Sequence, residues 1–294
     1  MATAHILVGA STNPAQPVVR RISPSDLYQS LARGIDDFTA MPSHALFLCV
    51  IYPLLGIFLV AMTIGSSLLP LAFPIAAGFA LIGPLAAIGL YELSRRREAG
   101  LDSSSGHALD VLHSPSLGAI IALGVLLMAI FLIWLAVADA IYIANFGYHG
   151  PASIRQFAHD VLTTGAGWNL IVIGTGVGFL FAVLVLTIGA ISFPLLLDRD
   201  VGAAVALLTS IRVVAKNPGT MALWGFIVAA LLVIGSIPFF LGLTIVMPVL
   251  GHATWHLYRR AVAPDANPHP DYQPRERHRR SAADFPAALF PTRE

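Results

Sequence analysis

From Phe38 to Tyr91 the chain carries no formal charge, and the same holds for residues 111–138, 161–197 and 217–258. A membrane-crossing helix needs about 20 mostly apolar residues. The first and last runs are therefore long enough for two helices each, and the middle two for one each. The pattern predicts spans at 44–64, 67–91, 117–143 and 168–197, followed by two more within 217–258. Turns are expected where small and polar residues gather, at Gly65-Ser66-Ser67 and at Gly235-Ser236-Ile237-Pro238. The expected fold is all-α, a polytopic membrane bundle of six transmembrane helices occupying residues 43–260.

The intervening stretches carry a different rhythm. Ser23-Pro24-Ser25-Asp26 has the composition of a helix start, with a serine cap, proline in the first turn and an acid three residues after the cap. Leu27, Leu31, Ile35 and Phe38 follow at helical spacing, while Asp26, Arg33, Asp36 and Asp37 occupy other faces. This predicts an interfacial amphipathic helix over 22–42. Ala204, Leu208, Ile211 and Ala215 form a similar stripe before Asn217-Pro218, predicting a second. Residues 145–167 read as a loop and 1–21 as a flexible lead without the basic start of a cleaved signal peptide. The tail, 261–294, is rich in proline and arginine and reads as disordered, with Arg275, Arg277, Arg279 and Arg280 available to anionic lipid.

Prolines punctuate the spans. Pro53, Pro84, Pro194 and Pro248 fall inside them, where each leaves a carbonyl that packed neighbours must satisfy, so helix kinks are expected there. Met41-Pro42-Ser43, Ser114-Pro115-Ser116 and Asn217-Pro218-Gly219 precede the first, third and fifth spans. The expected plan is three parallel hairpin repeats, each a surface helix, a proline elbow and two spans.

Composition agrees with the pattern: 56% of residues are apolar and 11% charged, against roughly a quarter charged in soluble domains. Of the 17 Lys and Arg residues, all but Arg155 fall on one side of the predicted spans. The positive-inside rule then places both termini in the cytoplasm, with Arg95, Arg96, Arg97, Arg259 and Arg260 as topology anchors. Tyr91, Trp168, Trp255 and Tyr258 fit aromatic belts at the two interfaces. No basic run suits nucleic acid, and the lone cysteine, Cys49, excludes an internal disulfide.

Several phrases carry a family resemblance: Ile22-Ser23-Pro24-Ser25-Asp26-Leu27, Gly34-Ile35-Asp36-Asp37-Phe38, Met41-Pro42-Ser43-His44, Phe79-Ala80-Leu81-Ile82-Gly83-Pro84, Gly89-Leu90-Tyr91-Glu92-Leu93-Ser94-Arg95-Arg96 and His113-Ser114-Pro115-Ser116-Leu117. Over roughly 20–262 the chain resembles a family of uncharacterised bacterial integral membrane proteins, some of whose members are labelled as cytochrome c oxidase-related. The resemblance implies a bacterial inner-membrane protein with no agreed activity and supplies no catalytic residues. An oxidase catalytic subunit needs many more spans and intramembrane histidines than this chain has.

Candidate chemistry is sparse. His252 and His256 lie four apart, on one helix face, and are the candidate metal or haem ligands, but two imidazoles are too few alone. Glu92 sits eight residues after Pro84, as His256 does after Pro248, so Glu92 and His256 form a candidate polar pair. Gly174-Thr175-Gly176-Val177-Gly178 reads as close helix packing, since no strand precedes it as a nucleotide loop requires. No serine–histidine–acid grouping is legible. We therefore expect a non-catalytic membrane protein without a cofactor, acting through lipid and other membrane proteins as an accessory or assembly factor. The alternative is a small-solute transporter or channel, and a third reading is a haem- or metal-binding protein.

Overall fold

The computed structural model describes residues 16–41, 54, 56–58, 61 and 69–265. All regular structure among them is helical. In chain order these are α1 (Pro24–Ala40), a 3-10 turn (Leu69–Leu71) leading into α2 (Ala72–Ala86), α3 (Ile88–Glu98), a 3-10 segment (Ser105–His113), α4 (Leu117–Phe146), α5 (Ile154–Thr163), α6 (Gly165–Asp198), α7 (Gly202–Lys216), α8 (Pro218–Ser236) and α9 (Leu243–Ala261).

The chargeless runs become the long helices. α4, α6 and α8 are each long and apolar enough to cross a membrane. Only 33%, 11% and 17% of their most apolar windows is buried inside the protein, so the rest of that apolar surface faces outward. Water would penalise such a surface and a bilayer does not. Among the described residues, three spans therefore meet the length and composition test where six were expected in the whole chain. α2 has 15 residues and is separated from α3 by Ala87. α9 has 19 residues, but its second half carries His252, His256, Arg259 and Arg260. The expected first span, 44–64, lies largely outside the described residues, as do Pro53, His44 and Cys49.

Local chemistry explains the helix ends. The Asp26 carboxylate accepts the Ser23 backbone N–H at 2.8 Å, completing a capping box at the start of α1. α8 opens on Pro218, whose missing N–H is one that a first turn cannot use anyway. α5 lies inside the expected loop: Ser153 Oγ accepts the Gln156 N–H at 3.1 Å, and Ile154, Phe157 and Val161 share a face. Its cap was legible, but Arg155, His159 and Asp160 disguised a ten-residue surface helix as a loop.

The interior prolines are absorbed by close neighbours. Pro84 lies within α2, and a Cβ on Gly189 of α6 would come 3.0 Å from its ring. Pro194 and Pro248 lie within α6 and α9. Gly178 packs against the Trp134 ring, where a Cβ would fall at 3.1 Å, whereas Gly174 and Gly176 have open space beside them. The expected close packing of that glycine cluster holds at one position of three.

The two amphipathic helices differ in the face they bury: α1 turns part of its apolar stripe inward, and α7 turns its stripe outward, as an interfacial helix does. α1 buries Leu27, Ser30, Gly34 and Asp37 against α9, and leaves Ile35 exposed. α7 buries the small and polar face Ala203, Ala206, Thr209, Ser210 and Val213, while Leu208 and Ile211 point outward. Small side chains let helices approach closely, and the larger apolar ones are left for a non-aqueous exterior. Residues 16–21, expected to be flexible, form an extended strap. Arg20 N–H bonds Ala261 O at 2.8 Å, Ala263 N–H bonds Val18 O at 2.9 Å, and Val19 pairs antiparallel with Val262. Asn217 fastens the strap, accepting from Ile22 N–H at 2.9 Å and donating to Arg20 O at 3.1 Å.

α9 is the hub, touching α1, α3, α6 and α8. The contact with α1 depends on Gly34, where a Cβ would lie 2.7 Å from both the Ala253 nitrogen and the Val249 oxygen. Both are backbone atoms and cannot swing aside. Gly34→Val should therefore push α1 off α9 and destabilise the protein by roughly 1–3 kcal/mol, the usual cost of overpacking. Thermal unfolding in detergent measures this, and a melting temperature equal to that of the native chain would refute it.

Candidate functional site

Where α1, α3 and α9 meet, four polar side chains gather around one carboxylate. Asp37 stands in the last turn of α1, Ser94 and Arg97 are one turn apart on α3, and His252 and His256 are one turn apart on α9. Asp37 Oδ2 accepts from Ser94 Oγ at 2.6 Å and from His256 Nε2 at 2.9 Å, while Oδ1 accepts from Arg97. Ser94 Oγ is also 2.7 Å from His252 Nδ1. Asp37, Ser94 and His252 are almost wholly buried, at 3%, 1% and 0% exposure.

Proton counting orders this network. An ionised carboxylate only accepts, so both Ser94 and His256 must donate to Asp37. Ser94 has a single hydroxyl hydrogen and gives it to Asp37, so its oxygen accepts from His252 Nδ1–H. His256 carries its hydrogen on Nε2. The remaining ring nitrogens, His252 Nε2 and His256 Nδ1, are buried without a hydrogen-bond partner among the described residues.

The position of Asp37 is unfavourable by itself. An acid in the last turn of a helix faces the negative end of the macrodipole, and burial further opposes its charge. Hydrogen bonds from His256, Ser94 and Arg97 outweigh the burial and hold its pKa at about 2, below the ordinary 3.8. This direction is what a carboxylate with several donors shows.

Around this centre the arginines act as fasteners. Glu92 takes Arg95 Nε at 2.8 Å and lies 3.9 Å from Arg96, which also reaches Asp110 at 3.3 Å. Arg97 reaches Asp36 at 3.0 Å as well as Asp37. Arg259 joins Glu98 of α3 at 3.1 Å to Asp198 of α6 at 3.6 Å, and Arg260 holds Asp26 of α1 at 2.7 Å. Trp255 Nε1 donates to Glu98 at 2.9 Å and the Tyr258 hydroxyl to Asp198. His107 lies between Asp110 at 2.7 Å and Asp102 at 3.2 Å.

Several sequence expectations change here. Glu92 and His256 do not pair: Glu92 serves Arg95 and Arg96, and His256 serves Asp37. Counting from the prolines matched the two by depth, but depth does not set the direction in which a side chain leaves its helix. His252 and His256 do meet at one site, with an acid and a serine instead of a metal-ligand set. Among the described residues no group of three His, Cys, Asp or Glu has metal-binding geometry. The topology anchors Arg95, Arg96, Arg97, Arg259 and Arg260 are all engaged with internal acids. Tyr91, Trp255 and Tyr258 are buried, so they form no belt, whereas Trp168 is exposed as expected. The serine–histidine–acid grouping was missed. Its only trace was that Ser30, Gly34 and Asp37 fall on one helix face, a stripe of small and polar residues unlike a lipid-facing one.

Replacing Asp37 with Asn removes the charge that Arg97, Ser94 and His256 address. A hydrogen bond to a charged group contributes about 1.5–3 kcal/mol, so Asp37→Asn should lower the melting temperature in detergent at neutral pH. Folding lowers the pKa of this carboxyl, so its contribution is complete above the ordinary value of 3.8 and is lost as the pH falls toward about 2. The gap between native and Asp37→Asn melting temperatures should therefore close over that range, and a gap constant with pH would refute the assignment.

No curated protein and no solved structure matches the chain. A family model does match: residues 72–198, the stretch from α2 to the end of α6, fit the family described as predicted integral membrane protein (DUF2189), a domain of unknown function.

Proposed function

We propose that this is a non-catalytic protein of the bacterial inner membrane that acts through its helix- and lipid-facing surfaces as an accessory or assembly factor. The observation that carries the reading is where the polar groups lie. Among the described residues, the buried charged groups Asp37, Glu92 and Arg96 and the buried histidines His252 and His256 gather at one end of the bundle, and each bonds to another residue there. The spans themselves present apolar side chains such as Val125, Leu132, Phe179, Leu180 and Phe226 outward. Ser94 is held between His252 and Asp37 with almost no exposed surface, whereas a nucleophile must be reachable by its substrate.

In this reading the chain crosses the membrane six times with both termini cytoplasmic, in three repeated hairpins. Support comes from the lone Arg155 at the far end and from the gathering of the α3, α6 and α9 C-terminal ends at the arginine-rich end. Pro84, Pro194 and Pro248 lie in the corresponding helix of each hairpin.

Two measurements test these proposals. With Cys49 replaced by Ala, a membrane-impermeant maleimide applied to intact cells should label His149→Cys and leave Ser105→Cys untouched. The reverse pattern would overturn the topology. Purification in mild detergent should recover the protein with a second membrane protein, and recovery as a partnerless monomer would count against the assembly role.

A further inference from the structure

The ion pairs at the packed end leave one group of cations over. Arg20, Arg21, Arg212 and Lys216 are exposed, and none has an acidic partner among the described residues. They are brought together because the strap 16–22 crosses the C-terminal end of α7. Lys216 Nζ donates to Val19 O at 2.9 Å, Arg212 Nη1 to Gln16 Oε1 at 2.9 Å, and Asn217 Nδ2 to Arg20 O at 3.1 Å. Bonds to neutral carbonyls and amides position these residues without neutralising them. α7 itself contains no acid. Asp26, on the adjacent α1, is taken by Arg260, and Asp198 by Tyr258, Arg199 and Arg259. Asp200 lies before the start of α7, and from Gly202 to Arg212 the helix rises about 15 Å.

The same surface is apolar between its charges. Leu208 is 50% exposed, Ile211 40% and, on the strap, Val18 65%. Ala204 and Ala215 continue the α7 stripe outward, while its small polar face is buried. One residue after Lys216, Asn217 caps α8, a helix long and apolar enough to cross a membrane. The patch therefore sits at the level where that helix leaves the hydrocarbon. Apolar side chains flanked by Arg and Lys at this depth match the bilayer boundary, with acyl chains beneath and phosphates above. A nucleic acid would use the charges and leave Leu208, Ile211 and Val18 in water.

We propose that Arg20, Arg21, Arg212 and Lys216, with Leu208, Ile211 and Val18, form a docking surface for acidic phospholipid headgroups of the membrane that holds the protein. The surface joins two segments nearly two hundred residues apart, so bound lipid also clamps the strap onto α7. The inference needs α8 to span the membrane but not the assembly role, so failure of one leaves the other standing.

The test uses the full chain in detergent with mixed micelles of phosphatidylglycerol and phosphatidylcholine, measuring the phospholipid retained after size exclusion. The native protein should be enriched in phosphatidylglycerol over the supplied mixture. The variant Arg20→Gln/Arg21→Gln/Arg212→Gln/Lys216→Gln should retain the two lipids in the supplied proportion. Each cation near an acidic surface contributes roughly a fivefold preference. Should the quadruple variant lose its monodisperse peak, Arg20→Gln/Arg21→Gln, whose side chains make no hydrogen bond among the described residues, should show an intermediate enrichment. Arg155→Gln, at the opposite end, should match the native protein. An undiminished preference in the variants, no preference in the native protein, or full displacement of the lipid by inorganic phosphate would each overturn the proposal.

Discussion

A carboxylate withdrawn from water near the negative end of its own helix dipole sets the conditions for the rest of this structure. Asp37 is held ionised by donors from two other helices, Ser94 and Arg97 on α3 and His256 on α9. Removing one partner of a buried charge strands the other at a cost of several kcal/mol, so α1, α3 and α9 cannot shift independently. Gly34 makes the arrangement reachable, because the α1 backbone must approach that of α9 more closely than any Cβ allows. His252 extends the network by fixing the Ser94 hydroxyl, so a serine, two histidines and an aspartate serve as a joint.

The arginines around this joint extend the same logic outward. Exposed ion pairs contribute little, but Glu92 and Arg96 are buried, and Arg259 ties two helices at once. One end of the bundle is therefore fastened by charges, while α4, α6 and α8 rely on apolar surface that a bilayer tolerates. These arginines join helices whose acids lie far apart in the sequence, Arg259 to Glu98 and Arg260 to Asp26. The strap completes that end: Asn217, beside the start of α8, bonds the backbone near residue 20, and residues 18–20 bond 261–263.

The elements were legible where physics acts locally. Chargeless runs located α4, α6 and α8 within a few residues, and Ser23-Pro24-Ser25-Asp26 marked the start of α1. The sequence was less informative where a short amphipathic segment had to be assigned a face. Leu208 and Ile211 read as an apolar stripe in either case, but hydrophobicity does not say whether the neighbour is protein or lipid. In α7 the answer is reversed from a soluble helix, with Ala206 and Ser210 inside. Tyr91, Trp255 and Tyr258 failed as belt residues for a related reason: their polar atoms suit an interface, yet Glu98 and Asp198 satisfy those of Trp255 and Tyr258 internally.

By itself the sequence determined that this is a helical membrane protein, where its longest helices run and which end carries the charge. Each of those follows from hydrophobicity and capping, which act over a few neighbouring residues. Only the tertiary structure decided the partners: Asp37 with His256 across 219 positions, Arg260 with Asp26 across 234, and Glu92 with its own arginines instead of His256. Pairing depends on helix rotation and approach distance, which here turn on single residues such as Gly34 and leave no periodic trace along the chain.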